Sequence, residues 1–249
     1  MKKVFDRPKS LKPDAFRYCP GCGHSLVHRL IAECIDTLGI REQVIGIAPV
    51  GCAVFAYDYF NFDILEAAHG RPPAVATALK RIMPEKIIFS YQGDGDLAAI
   101  GTSEIIHAAN RGENFSVFFI NNATYGMTGG QMAPTTLTGQ RTTTTPRGRD
   151  VQTTGYPLKV SELLSTLEGV SYIERVSVDS YKNLVTAKKA IEKAFRYQIQ
   201  GRGFSLIEIL SPCPTDWGMS PRAAADWVRT TLSQAYPLGL VKDKYPGTI

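Results

Sequence analysis

The sequence predicts an α/β fold, a single domain with a mainly parallel sheet covered by helices on both faces. Two observations carry that expectation. Short segments that are apolar throughout alternate with segments whose apolar residues recur at helical spacing, and a strand apolar on both sides is one whose two faces are buried. The chain has 249 residues, 44% hydrophobic and 20% charged, enough to bury a real core and short for two comfortable domains.

Residues 1–17 carry Pro8, Pro13 and dense charge without an apolar period, so they are expected to form an extended arm before a domain over 18–249. Leu26, Leu30, Ile31, Cys34, Ile35 and Leu38 recur at helical spacing, and Gly39 follows as a stop signal. The apolar run 44–48 reads as a buried strand. Pro72 opens a helix reaching Met83, and 86–91 form the next strand. A helix over 101–111 and a strand over 116–120 follow. After a polar stretch from 124 to 156 come helices near 160–167 and 182–197 and strands near 172–178 and 204–210. A long loop inside a compact domain is usually functional, and parallel sheets collect ligands at the carboxyl ends of their strands.

The net charge is +5, from 28 Lys and Arg against 23 Asp and Glu, too modest to argue for nucleic acid. No apolar run approaches the roughly 18 residues of a membrane span. The basic start lacks the apolar segment of an export signal. A soluble, cytoplasmic protein is expected. The positive excess is local. Lys2, Lys3, Arg7, Lys9, Lys12 and Arg17 outweigh Asp6 and Asp14, and Arg141, Arg147 and Arg149 form a second group. Both read as solvated segments, with docking to an acidic partner as the sharper alternative.

The strand ending near residue 91 runs into Gln92-Gly93-Asp94-Gly95-Asp96-Leu97-Ala98, formally a dinucleotide-type glycine turn. A diphosphate bound directly on this backbone would be repelled by Asp94 and Asp96. A divalent cation between carboxylate and diphosphate removes the conflict, and Mg²⁺ is commonly held by one or two protein oxygens plus phosphate oxygens. The next strand ends in Asn121-Asn122, 28 residues after Asp94, so a carboxylate and an amide oxygen reach the same sheet edge.

Five cysteines without an export signal argue against a disulfide framework and for bound metal or reactive thiols. Cys19-Pro-Gly-Cys22 supplies a pair, and Cys52 follows the strand 44–48 in Pro49-Val50-Gly51-Cys52. Cys34 lies in the apolar stripe of a helix, whereas Cys213 sits just past strand 204–210 where loops gather. The set Cys19, Cys22, Cys52 and Cys213 is therefore chosen. Four thiolates suit zinc or an iron–sulfur cluster equally well.

Gly-Asp-Gly followed by Asn-Asn resembles the thiamine-diphosphate motif. The fuller string from Gly93 to Gly101, with Asn121-Asn-Ala-Thr-Tyr-Gly-Met-Thr-Gly-Gly-Gln131, resembles the beta subunits of 2-oxoacid:ferredoxin oxidoreductases. The resemblance covers most of residues 18–222. It implies that Asp94, the Asn122 side chain and the Thr124 carbonyl hold Mg²⁺. It also implies that Gly51, Cys52, Gly93, Gly95, Asp96 and the segment Tyr125-Gly126-Met127-Thr128 contact thiamine diphosphate, and that the four cysteines hold one [4Fe–4S] cluster. His69-Gly70-Arg71 occurs near the cofactor in the family, which makes His69 the candidate catalytic group, with Arg71 behind it. His24, His28 and His107 read as structural.

The activity implied is oxidative decarboxylation of a 2-oxoacid to acyl-CoA and CO₂, with reduction of ferredoxin. The apolar segment 53–57 offers no cation for a second carboxylate, which favours a branched-chain or other monocarboxylic substrate over 2-oxoglutarate. The family places the pyrimidine-side carboxylate on another domain, so an alpha subunit carrying it is expected, with gamma and delta subunits, ferredoxin and coenzyme A as further partners. A non-oxidative thiamine-dependent decarboxylase subunit and a zinc-binding interaction module are the alternatives.

Overall fold

The computed structural model describes residues 6–247. Lys2, Lys3 and the rest of the first five residues of the arm lie outside the described residues. Seven strands form one sheet: β1 (Val44–Ala48), β2 (Asp63–Glu66), β3 (Ile87–Gly93), β4 (Ser116–Asn121), β5 (Val170–Ser177), β6 (Phe204–Leu210) and β7 (Gly239–Asp243). Their order is β2-β1-β3-β4-β6-β5-β7. Six strands run parallel, and β7 pairs antiparallel with β5 at the far edge.

Strand burial is continuous from β1 to β6 apart from β2, as expected of a sheet sandwiched between helices. Alternate residues of β4 divide between two apolar layers. Phe118 and Ile120 join the helices His24–Leu38 and Tyr181–Ile199, while Val117 and Phe119 join Pro72–Ile82, Thr102–Asn110 and Val160–Ser165. Each fully buried Phe or Leu side chain contributes about 1.5–3 kcal/mol over its exposed state.

Two strands escape the sequence reading. β2 is a short, largely exposed edge flanked by Asp63 and Glu66, so it shows no apolar run. β7 is half exposed and antiparallel, past the last alternating unit. The arm also differs from a solvated tail: Pro8, Ser10 and Leu11 are buried. Leu11 bridges Phe60 and packs into the core, and Asp36 accepts hydrogen bonds from Lys9 N–H and the Ser10 hydroxyl at 2.5 and 2.6 Å.

Arg149 is not part of a solvated basic group. It is buried, and its guanidinium donates to the carbonyls of Thr136, Pro134, Gly155 and Tyr156 at 2.6–3.0 Å, which ties the two ends of the long loop together. The Thr142–Thr145 run is a closed polar turn, its two end hydroxyls 2.6 Å apart. Among the described residues no helix is long and apolar enough to cross a membrane.

Candidate functional site

β1 leads to β2 on one side of the sheet, whereas β3 leads away to β4 on the other. The carboxyl ends of β1 and β3 therefore flank a topological switch point, where open parallel sheets form a crevice. A cavity of about 230 Å³ opens there. Gly51, Cys52, His69, Gly93, Asp94, Gly95, Asp96, Asn122, Thr124, Tyr125, Gly126, Met127 and Thr128 all lie around it. Arg71 does not: its guanidinium pairs with Glu104 at 2.5 Å and donates to the Ile100 carbonyl at 3.1 Å. His107 is exposed on its helix.

β3 extends to Gly93 and pairs it with Ile120, so Asp94 and Asn122 sit just past the ends of adjacent strands. Asp94 is buried, and its Oδ1 accepts from Gly95 N–H at 2.9 Å. Its Oδ2 accepts from the Thr135 hydroxyl at 2.7 Å and from Thr124 N–H at 3.2 Å. Burial pushes its carboxyl up to about 7, against the pull of those donors.

One terminal atom of the Asn122 amide lies 2.8 Å from the Thr124 carbonyl oxygen and 3.2 Å from Asp94 Oδ2. Set as nitrogen, it donates to both; set as oxygen, it completes three acceptor oxygens converging on one point. Such a set fits a hard divalent cation. The segment is held there by Ala123, whose φ of 55° is rare for a residue with a Cβ. Asn121 Oδ1 accepts from the Ala123 N–H at 3.2 Å and fixes that bend.

Asp96 faces inward. Its carboxylate accepts from His69 Nδ1–H at 2.6 Å, Gly70 N–H at 2.8 Å and Gln92 Nε2 at 2.6 Å. Arg71 is replaced beside His69 by this buried carboxylate, a partnership the sequence did not signal. His24, read as structural, also reaches the cavity wall, with Nδ1 bonded to the Tyr91 hydroxyl at 2.6 Å.

The cysteines gather on the neighbouring loops. Cys22 N–H donates to the Cys19 carbonyl at 3.0 Å, and the turn is pressed against the end of β6: a Cβ on Gly23 would collide with the Ser211 hydroxyl. Cys213 lies past that same strand end, and its thiol donates to Asp216 at 3.1 Å. A Cβ on Gly126 would sit 3.2 Å from Cys52 Sγ, 3.4 Å from Asp216 Oδ2 and 3.5 Å from the Asn122 amide, so the thiols adjoin the oxygen-lined turn.

Burial pushes the Cys22 thiol up to about 11, with Cys19 and Asp216 adding to it, and the Cys52 thiol up to about 12, with Cys22, Asp216 and Cys19 adding to it. Among the described residues no three Cys, His, Asp or Glu side chains are already drawn together as a metal cage. Cys19, Cys22, Cys52 and Cys213 lie outside the apolar core, whereas Cys34 is buried within it. Asp216 went unnoticed in the sequence; an acid three residues after Cys213 was its only signal.

Residues 49–209 match the C-terminal TPP binding domain of the thiamine pyrophosphate enzymes. The ketoisovalerate oxidoreductase subunit VorA of Methanothermobacter marburgensis is 48% identical over 98% of this chain, which spans about half (51%) of that relative's length. The 2-oxoglutarate synthase subunit KorB of Methanocaldococcus jannaschii is 36% identical over 91% of this chain and 80% of its own length. A solved 2-oxoglutarate:ferredoxin oxidoreductase from Magnetococcus marinus has the same fold, with a TM-score of 0.76 and 24% identity over 98% of this chain and 87% of that one. The chain belongs to the thiamine pyrophosphate enzymes and, within them, to the beta subunits of the 2-oxoacid:ferredoxin oxidoreductase family.

Proposed function

We propose that this chain binds the diphosphate end of thiamine diphosphate through Mg²⁺, carries one [4Fe–4S] cluster, and serves a complex that converts a 2-oxoacid and coenzyme A to acyl-CoA and CO₂ while two electrons pass to ferredoxin. The observation that carries the reading is the convergence of Asp94 Oδ2, the Asn122 amide end and the Thr124 carbonyl at the mouth of the cavity.

Bound there, thiamine diphosphate would supply nucleophilic and electron-sink chemistry for decarboxylation of a 2-oxoacid. Asp94, Asn122 and Thr124 would hold the cation, whose charge would offset that of the diphosphate. Asp96 would keep the proton on His69 Nδ1 and so leave Nε2 as the acid–base position on the cavity wall. Cys19, Cys22, Cys52 and Cys213 would hold the cluster, which would supply one-electron chemistry.

A branched-chain 2-oxoacid of the 2-oxoisovalerate type is the proposed substrate. The residues around the cavity include no Lys or Arg to receive a second carboxylate, and the relatives at 48% identity carry a ketoisovalerate name. A partner alpha subunit supplying the pyrimidine side, with gamma and delta subunits completing a cytoplasmic complex, is part of this proposal, and the relatives' names as oxidoreductase subunits support it. Residues 1–17 are then its N-terminal arm, docked at Pro8, Ser10 and Leu11, and 18–249 its cofactor domain.

The test is anaerobic reconstitution with the companion subunits, followed by a panel of 2-oxoacids with coenzyme A and a ferredoxin or viologen acceptor. Turnover of 2-oxoisovalerate with a kcat/KM at least about tenfold above that of 2-oxoglutarate is expected. CO₂ release without acceptor reduction would point instead to a non-oxidative decarboxylase. Zinc without iron in the purified chain would reassign the thiols.

A further inference from the structure

The mechanism makes no use of the most deeply buried ion pair. Glu208, wholly buried, stands in the interior of β6 opposite Phe119 of β4. Its Oε1 accepts from Asn121 Nδ2 at 2.7 Å, and its Oε2 accepts from Arg175 Nε at 2.8 Å and from the Ser161 hydroxyl. Arg175, 1% exposed in β5, also pairs with Glu162 at 2.6 and 3.0 Å, donates to the Pro237 carbonyl and lies over the Tyr236 ring. Neither Glu208 nor Arg175 borders the cavity.

We propose that the Glu208–Arg175 pair is a positioning group that sets the three oxygens at the cavity mouth. Two routes run from it. Glu208 holds the Asn121 amide, whose Oδ1 fixes the left-handed Ala123, and that bend orients Asn122 and Thr124 on either side of it. Arg175 backs Tyr236, whose hydroxyl donates to the Thr135 carbonyl at 2.6 Å, and the Thr135 hydroxyl donates to Asp94 Oδ2 at 2.7 Å. All three oxygens thus trace to one buried pair. Stability alone does not explain charges at this depth, since a well-packed apolar replacement of a buried ion pair is often neutral or stabilising. Second partners of metal-ligating groups are, by contrast, what fix ligand orientation.

The inference rests on Asp94, Asn122 and Thr124 holding Mg²⁺ with the diphosphate. Its test is the Mg²⁺ dissociation constant of the assembled complex at saturating thiamine diphosphate, for wild type, Glu208→Gln and Tyr236→Phe. In Glu208→Gln the constant is expected to rise about 10- to 100-fold, while kcat at saturating Mg²⁺ stays within about threefold of wild type because the ligands themselves are intact. Tyr236→Phe breaks only the second route, leaves the charges paired, and is expected to raise the constant about three- to tenfold.

An assembled Glu208→Gln complex with an unchanged Mg²⁺ constant would overturn the proposal. If Glu208→Gln fails to assemble, an unchanged constant in Tyr236→Phe would do so. A wild-type complex that binds thiamine diphosphate without Mg²⁺ would overturn the underlying reading of the three oxygens, a different failure and recognisable as such.

Discussion

The two halves of the site are built differently. On the oxygen side, Asp94 and the 122–124 segment leave the ends of adjacent central strands, and every group is held from behind: Thr135 on Asp94, Asn121 on Ala123, Asp96 on His69. On the sulfur side, the thiols come from a turn before the first long helix, the loop after β1 and the loop after β6, and the only hydrogen bond from one of these four thiols is that of Cys213 to Asp216 among the described residues. Strand ends with buried hydrogen bonds give a preorganised polar site; loop thiols, pushed up by burial, draw together only around a cation that favours their thiolates. The oxygen side is therefore set by folding, whereas the thiols sit on loops whose polar groups are held by few hydrogen bonds.

The largest effect that separates the halves is loss of the metal. Cys213→Ser is expected to remove nearly all of the roughly four irons of one cluster, while thiamine diphosphate affinity stays within about threefold of wild type, since Cys213 does not border the cavity. Iron analysis and cofactor titration on the same sample check this. Equal loss of both would mean that the two halves assemble as one unit.

His69→Gln sharpens the oxygen side. It removes the acid–base position without touching the three oxygens, so kcat is expected to fall roughly 100-fold with little change in cofactor affinity. Steady-state kinetics beside a binding titration separates the two, and a pure rise in the cofactor constant would demote His69 to a wall residue.

Arg149→Met probes the loop that carries Thr135. Its carbonyl partners lose their donor, at a cost of about 2–3 kcal/mol. Chemical unfolding gives the energy, and limited proteolysis within 139–156 should speed up. Native resistance in that loop would show that other contacts suffice to hold it.

The smallest effect lies beneath the sulfur side. His28 is fully buried, with Nε2 bonded to the Tyr18 hydroxyl at 2.7 Å and Nδ1 without a partner, and His24, Tyr59, Tyr91 and Phe60 pack around it. Burial drives its imidazole well below the usual 6.5. The unfolded chain therefore takes up a proton as pH drops past 6.5 and the folded chain does not. Stability is complete above that pH and falls below it, by a slope approaching about 1.4 kcal/mol per pH unit. Unfolding between pH 6.5 and 5.5 should show that slope shrinking by up to this amount in His28→Phe.

What the sequence revealed follows from whether a feature is contiguous. The Gly93–Asp96 turn and Asn121-Asn122 were legible because each is a short string at the end of an apolar strand. The role of Asp96 as an anchor for His69 was not, since its partners come from residues 69, 70 and 92 and meet only in the fold. Thr135 and Asp216 are single polar residues in irregular segments, with no period to mark them. Glu208 did leave a trace: a lone charge in the apolar strand Phe204–Leu210 requires a buried partner, and Arg175 in β5 is the matching exception. β2 and β7 were missed for the opposite reason, as exposed edges carry no buried pattern to read.

Whether the strand-end oxygens hold Mg²⁺ and the diphosphate is decided by calorimetric titration of thiamine diphosphate into the cofactor-stripped complex, with and without Mg²⁺, for wild type and Asp94→Asn. Binding of one cofactor per copy of this chain, dependent on Mg²⁺ and weakened at least about 100-fold in Asp94→Asn, is the predicted result. Binding that is indifferent to Mg²⁺, or unchanged in Asp94→Asn, would contradict it.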